Sequence, residues 1–155
     1  MTISLTTPVT GGAQTGFTAP TYTIAADSNP DYNGKQWVVT ALGGTQVGVT
    51  VHSASSPFSL AFFKPKAVRV LPRVDLNGGY SAGIPLNVYS FFLRKGSVPA
   101  ANQVPTTGWI KCQMAVPAGS DTYSPAEIRG MASLFVGALT QLSAGIGDTL
   151  NSSVM

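Results

Sequence analysis

The sequence predicts a single α+β domain: an N-terminal β-hairpin, a five-stranded antiparallel sheet and C-terminal helices. Three observations predict it. Seventeen glycines and eleven prolines, most of them in the first 120 residues, cut that region into strand-length runs. Several of these runs alternate apolar and polar residues with a period of two. After Ser124 the period changes to three or four. With 155 residues, one compact domain spanning 1–155 is expected, and 44% hydrophobic residues are ample for its core.

The elements follow in order. Residues 3–9 alternate loosely and run into Gly11-Gly12. Residues 17–24 return as their hairpin partner, with Pro20 on an edge position. Residues 29–34 are a turn cluster. Gln36-Trp37-Val38-Val39-Thr40 reads as a strand ended by Gly43-Gly44. Residues 46–52 alternate most clearly, with Val47, Val49 and Val51 on one face and Gln46, Gly48, Thr50 and His52 on the other. Residues 67–71 set Val68 and Val70 opposite Arg69, and residues 86–93 are apolar enough for burial on both sides. Residues 109–116 place Ile110, Cys112, Met114 and Val116 on one face and Trp109, Lys111 and Gln113 on the other.

The helical region opens on Ser124-Pro125-Ala126-Glu127, a capping box with proline at the first helical position. Ile128, Met131, Phe135, Leu139 and Leu142 then form a stripe. Gly145 and Gly147 are expected to interrupt it before a second helical turn over 148–154. One helix covers only one face of a sheet. The other face collects Thr50, His52, Arg69, Lys111 and Gln113, an open basic surface suited to a flat ligand.

Charge points the same way. Only 10% of residues are charged, against about 25% in ordinary soluble domains, which favours association over self-repulsion. The net charge of +3 is unevenly placed. Lys64, Lys66, Arg69, Arg73, Arg94, Lys95 and Lys111 share the middle of the chain with Asp75 alone, a surplus of six positive charges. Such a cluster in a charge-poor chain implies a polyanionic partner. Arg69 and Lys111 suit phosphates, and Trp109 suits stacking on an unpaired base. The remaining classes fit poorly. A lone Cys112 permits no intrachain disulfide. A lone His52, without Cys or His neighbours, makes no metal site, and no nucleophile motif, carboxylate pair or phosphate-cradling loop indicates catalysis or a cofactor. Residues 1–5 lack a signal-peptide pattern, and the uncharged stretches 36–63 and 130–147 are too broken by polar residues to read as membrane spans.

The order of these segments resembles the coat proteins of the leviviruses, the small single-stranded RNA bacteriophages. The resemblance is carried by Gln36-Trp37-Val38-Val39, by Gln46 to His52, by Ala67-Val68-Arg69-Val70-Leu71-Pro72, and by Trp109-Ile110-Lys111-Cys112-Gln113-Met114-Ala115-Val116-Pro117. It implies an obligate homodimer, with two sheets joined edge to edge and each helix packed across the partner's sheet. It further implies an icosahedral shell made in the host cytoplasm and residing in the virion, with single-stranded RNA on the inner face and translational repression through an RNA hairpin. RNA contacts are then expected at Thr50, His52, Arg69, Trp109, Lys111 and Gln113, with no membrane or small-molecule substrate involved. The linker 95–107, with Pro99 and Pro105, resembles the loop that adapts around the symmetry axes. Trp109 and Lys111 stand where better-known relatives carry Tyr and Asn, and Gly48 where a hydroxyl residue is expected. These departures weaken the case for sequence-specific hairpin binding and leave non-specific RNA packaging open. A non-capsid RNA-binding sheet module and another kind of phage structural subunit are the alternatives.

Overall fold

The computed structural model describes residues 3–80 and 83–155; Met1 and Thr2, part of the N-terminal stretch read above, lie outside them. Six strands, in sequence order, form one antiparallel meander: β1 (Val9–Thr10), β2 (Thr18–Asp27), β3 (Gly34–Thr45), β4 (Phe58–Phe63), β5 (Leu86–Ser97) and β6 (Thr106–Pro117). Three helices follow: α1 (Ser120–Tyr123), α2 (Pro125–Gln141) and α3 (Ser143–Ser152). The sheet has six strands and not five. The N-terminal hairpin is continuous with it, since β2 pairs with β1 on one side and runs along β3 from Thr18↔Thr45 to Asp27↔Gln36 on the other.

Two expected strands are absent. Residues 46–52 are a loop, because the buried Gln46 amide donates to the Thr21 and Gly43 carbonyls and the Val49 N–H closes back on Gln46 O. The turn passes through Gly48 at φ 88°, which leaves Val47 86% exposed. Residues 67–71 join no ladder; Arg69 bonds instead to the side chain of Asn87. The strand taking their place, β4, reads Phe-Ser-Leu-Ala-Phe-Phe. It carries no polar alternation because neither face is exposed: Ser59 and Ala61 on one are almost wholly buried, and Phe58, Leu60 and Phe62 on the other are half-buried. The linker expected over 95–107 shortens to 98–105, since the β5–β6 ladder runs to Ser97↔Thr106.

Ladder partners share a face. The register therefore sorts the sheet into an apolar face with Ile110, Cys112 and Met114 beside Phe91, Leu93 and Leu60, and a polar face with Trp109, Lys111 and Gln113 beside Phe92, Arg94 and Ser59. The helices lie on the apolar side. Ile128, Met131 and Phe135 of α2 and Tyr89, Cys112 and Met114 of the sheet line a hollow of about 560 Å³ between them.

The helical arm is held at its two ends. Its root sits beside Ala115, Val116 and Pro117. Its tip is tied to the β1–β2 turn, where the Gln14 amide donates to Ser143 O at 2.7 Å and the Thr15 hydroxyl to Asp148 Oδ2 at 2.9 Å. Gly145 and Gly147 stand inside α3 and do not break it, and a side chain on Gly147 would collide with Gln14. The break falls at Leu142, where the two helices bend by 61°. No residue of α2 or α3 is buried.

The capping box does not form, although Ser124 is the N-cap and Pro125 opens the helix. Ser124 also terminates α1, and its N–H already donates to Ser120 O, so the Glu127 carboxylate has no donor to reach back to. Ser124→Ala is accordingly expected to change stability by less than about 0.5 kcal/mol. Gly44 behaves differently: at φ 69° an added Cβ would strike the carbonyls of Thr18 and Ala19. Gly16 has a similar φ of 82° with open space around it. Urea denaturation at fixed protein concentration should show Gly16→Ala costing about 1–2 kcal/mol from backbone strain alone, and Gly44→Ala clearly more.

Candidate nucleic-acid interface

The polar face is built on the last two strands. Period-two alternation along β6 turns Trp109, Lys111 and Gln113 to one side, where all three are exposed. The ladder sets them opposite Arg94, Phe92 and Ser90. Trp109 is 64% exposed and leans on Phe92, with ring centroids 6.1 Å apart at 39°. One side of the indole is thus supported while much of it stays open to a flat group.

Arg94 organises the centre of this face. Its Nε donates to Ser59 Oγ at 3.1 Å and its Nη2 to Gln36 Oε1 at 3.3 Å, and the guanidinium lies 5.9 Å from the Phe92 ring centre. Gln36 passes the chain on to Asp27 Oδ2 at 2.6 Å. These bonds lock a planar cation flat against the sheet, where it is half-buried and keeps donors for an anion. Beside it Lys64 and Lys111, with Phe63, Ser90, Phe92 and Asp31, line a hollow of about 460 Å³, and the Asp31 carboxylate is paired with Lys66 at 2.9 Å. Two ammonium groups and two aromatic rings around one depression suit phosphates and bases together.

Of the six residues expected to meet RNA, the structure brings Trp109, Lys111 and Gln113 together and does not bring the other three to this face. The Thr50 hydroxyl accepts from Lys95 Nζ at 2.9 Å, and Lys95 shares the opposite face with Phe58, whose ring centre is 5.0 Å away. Burial there holds the Lys95 ammonium below lysine's usual pKa. His52 Nδ1 accepts the Phe58 N–H at 3.0 Å, a bond that starts β4. Arg69 is fastened through its backbone to Asn87, also on the apolar side. All three depended on strands 46–52 and 67–71, which the chain does not form.

Arg94, Phe92 and Lys64 were not expected. Residues 86–93 read as a doubly buried strand because of their apolar run, yet the alternation Phe92-Leu93-Arg94 continues to Ser97 and places Arg94 beside Trp109. Following that period past residue 93 was the available signal. Lys64 follows β4, whose unpatterned sequence concealed the strand.

No protein-family model and no curated protein matches the chain. Among solved structures it is similar to the protein of a virus-like particle of bacteriophage ESE020, with 48% identity, a TM-score of 0.96, and coverage of 99% of this chain and 100% of that one. Weaker likenesses are to the virus-like particle of Beihai levi-like virus 32, at 16% identity, TM-score 0.46 and coverage of 86% and 88%, and to that of Wenzhou levi-like virus 4, at 15%, 0.41 and coverage of 78% and 72%. With nearly half of its residues shared with a phage particle protein over essentially the whole length, and with the same backbone throughout, this chain belongs to the levivirus coat proteins and has a structural role in the capsid.

Proposed function

We propose that the chain is an obligate homodimer, that its dimers close into an icosahedral shell, and that single-stranded RNA is packaged against the polar sheet face. One observation carries the reading. A compact monomer of 16.0 kDa exposes roughly 7,400 Å², whereas this chain exposes 10964 Å². The excess is roughly 3,600 Å² per chain, or about 7,200 Å² over two copies, which is ample for an obligate interface of about 2,000–5,000 Å² counted over both partners.

The excess has a clear location. Leu134 of α2 is 75% exposed, and Met131, Val136 and Leu142 are more than half exposed. The hollow beneath α2 is lined by apolar side chains, and protein interiors do not keep voids of that size empty. The apolar arc of α2 is also wider than one sheet face covers, since Leu134 and Val136 flank the stripe on both sides. A second copy supplies the missing surface symmetrically, because β6 has one unpaired edge of twelve residues and its partner carries the same edge. RNA is then left with the face opposite the helices. There Lys111, Lys64 and Arg94 supply charge and Trp109 supplies a stacking surface. Selective binding of one hairpin, as translational repression requires, rests on Gln113, the neutral amide on the exposed part of β6.

Dilution tests the dimer. Sedimentation combined with circular dichroism should show folded dimer passing directly to unfolded monomer, so that stability depends on protein concentration; a folded monomer persisting under dilution would falsify the dimer. RNA binding is tested by its salt dependence. Lys111→Ala should reduce the slope of log K against log salt by about 0.7 for a single strand. Trp109→Ala should remove about 1–3 kcal/mol with little change of slope. Lys35→Ala is the control, since Lys35 lies on the apolar face and donates to Ile3 O. If Lys35→Ala flattened the slope as much as Lys111→Ala, the RNA would have to lie elsewhere.

A further inference from the structure

The fold orients the Arg94 guanidinium, and that orientation decides which of its donors are left over. The origin lies three strands away, on β2. The Asp27 carboxylate, which accepts and does not donate, takes the Gln36 Nε2–H at 2.6 Å. That bond settles which way the Gln36 amide points, so its Oε1 is turned to Arg94 and accepts from Nη2 at 3.3 Å. Ser59, a residue only 2% exposed, accepts from Arg94 Nε at 3.1 Å through its Oγ.

Nε–H and the neighbouring Nη2–H form one edge of a planar group. With that edge occupied, the end of the guanidinium remains: one N–H on Nη1 and one on Nη2, parallel and in one plane. Among the described residues no acceptor meets Nη1 and no carboxylate pairs with Arg94. Arg94 Cζ lies 5.9 Å from the centre of the Phe92 ring, and that ring lies 6.1 Å from the ring of Trp109. A flat cationic fork thus stands near an indole that is 64% exposed.

Such a fork fits two adjacent acceptors in the plane of a base. Guanine offers O6 and N7 on one edge. Adenine sets its N6 donor beside N7, and uracil sets its N3 donor between two carbonyls, so each would turn a donor toward an N–H. Cytosine offers O2 and N3, but on a single ring with less surface to stack. We propose that Arg94 is a specificity-determining residue of the RNA face: its end fork bonds O6 and N7 of one unpaired guanine while Trp109 carries the purine ring. The inference rests on the reading that RNA lies against this face and adds a base preference to it. A phosphate also offers paired acceptors. It does not stack, however, and the compact ammonium groups of Lys64 and Lys111 in the adjacent hollow meet a phosphate from any direction.

Titration of the RNA-free, full-length chain with short RNAs of sequence UUXUU tests this, X being guanine, 7-deazaguanine, adenine, cytosine or uracil. The wild-type chain should bind the guanine RNA at least about fivefold more tightly than the adenine or uracil RNA. The 7-deazaguanine RNA keeps the ring and O6 but lacks N7, and should lose most of that advantage; this arm needs no altered protein. Arg94→Lys keeps the charge and loses the fork, so it should bind all five RNAs within about twofold of one another with an unchanged salt slope. Equal binding of all five by the wild-type chain would overturn the inference, and Arg94→Gln lowering the salt slope by about 0.7 for every RNA would then make Arg94 a phosphate contact. Undiminished binding of the 7-deazaguanine RNA would reduce the preference to stacking, and cytosine bound as tightly as guanine would remove it; either result overturns the assignment. Failure to bind any of these RNAs, or a longer single strand, would overturn the RNA-face reading along with it.

Discussion

The structure depends on one constraint: the chain does not contain enough sheet to bury its own helices. Among the described residues Val39, Ala61 and Ala118 are the buried hydrophobic ones, and no large side chain is fully enclosed. The helical arm is tethered at its root by β6 and at its tip by the β1–β2 turn, and between those points it stands off the apolar face. A monomer in this form leaves the hydrophobic term of its folding energy incomplete. The tethers explain how the arm keeps its place before its stripe is covered. Gln14, Ser143, Thr15 and Asp148 join it to the sheet by polar bonds, which hold geometry without burying area.

The same constraint leaves the other face free. With the helices committed to the apolar side, nothing in the chain covers Trp109, Lys111 or Gln113. Charge on that face is not loosely distributed, because Arg94 is set against Ser59, Gln36 and Phe92 before any ligand arrives. An arginine positioned in this way would lose less entropy on meeting an anion than a freely rotating lysine would. Lys111, across the ladder from Phe92, then supplies the mobile counterpart.

The fold class, the order of its elements and the last strand were legible in the sequence because each rests on periodicity. The alternation of 109–116 survives intact in β6, and the stripe from Ile128 to Leu142 survives in α2. Legibility failed where a side chain took over a backbone role. Gln46 bonds two carbonyls and folds a run of valines into a turn, and Asn87 occupies the position of a ladder partner beside Arg69. Neither substitution leaves a trace in hydrophobic period. β4 escaped for the opposite reason: with neither face exposed, it has no alternation to read. Thr50, His52 and Arg69 left the polar face with the two strands, while Arg94 was readable only by following the alternation of β5 past residue 93 to Ser97.

The two edges of the sheet are finished in different ways, and the difference bears on assembly. On one side the edge is broken up: β1 is two residues long and covers Thr21 and Tyr22, Pro20 cannot donate, and the Ile24 N–H is taken by the Thr7 hydroxyl. On the other side β6 runs twelve residues before Pro117. A sheet with two open edges adds copies without limit and makes fibres. A sheet with one open edge and one blunted edge stops at two, because joining like edges consumes both. If two copies join at β6 as proposed, growth beyond the pair would use contacts outside the sheet. Loops suit that task, since each covers a small area and adjusts to a slightly different angle at each position of a closed shell. The long open edge thus favours a finite building block, and the small contacts around it favour a curved surface made of many such blocks.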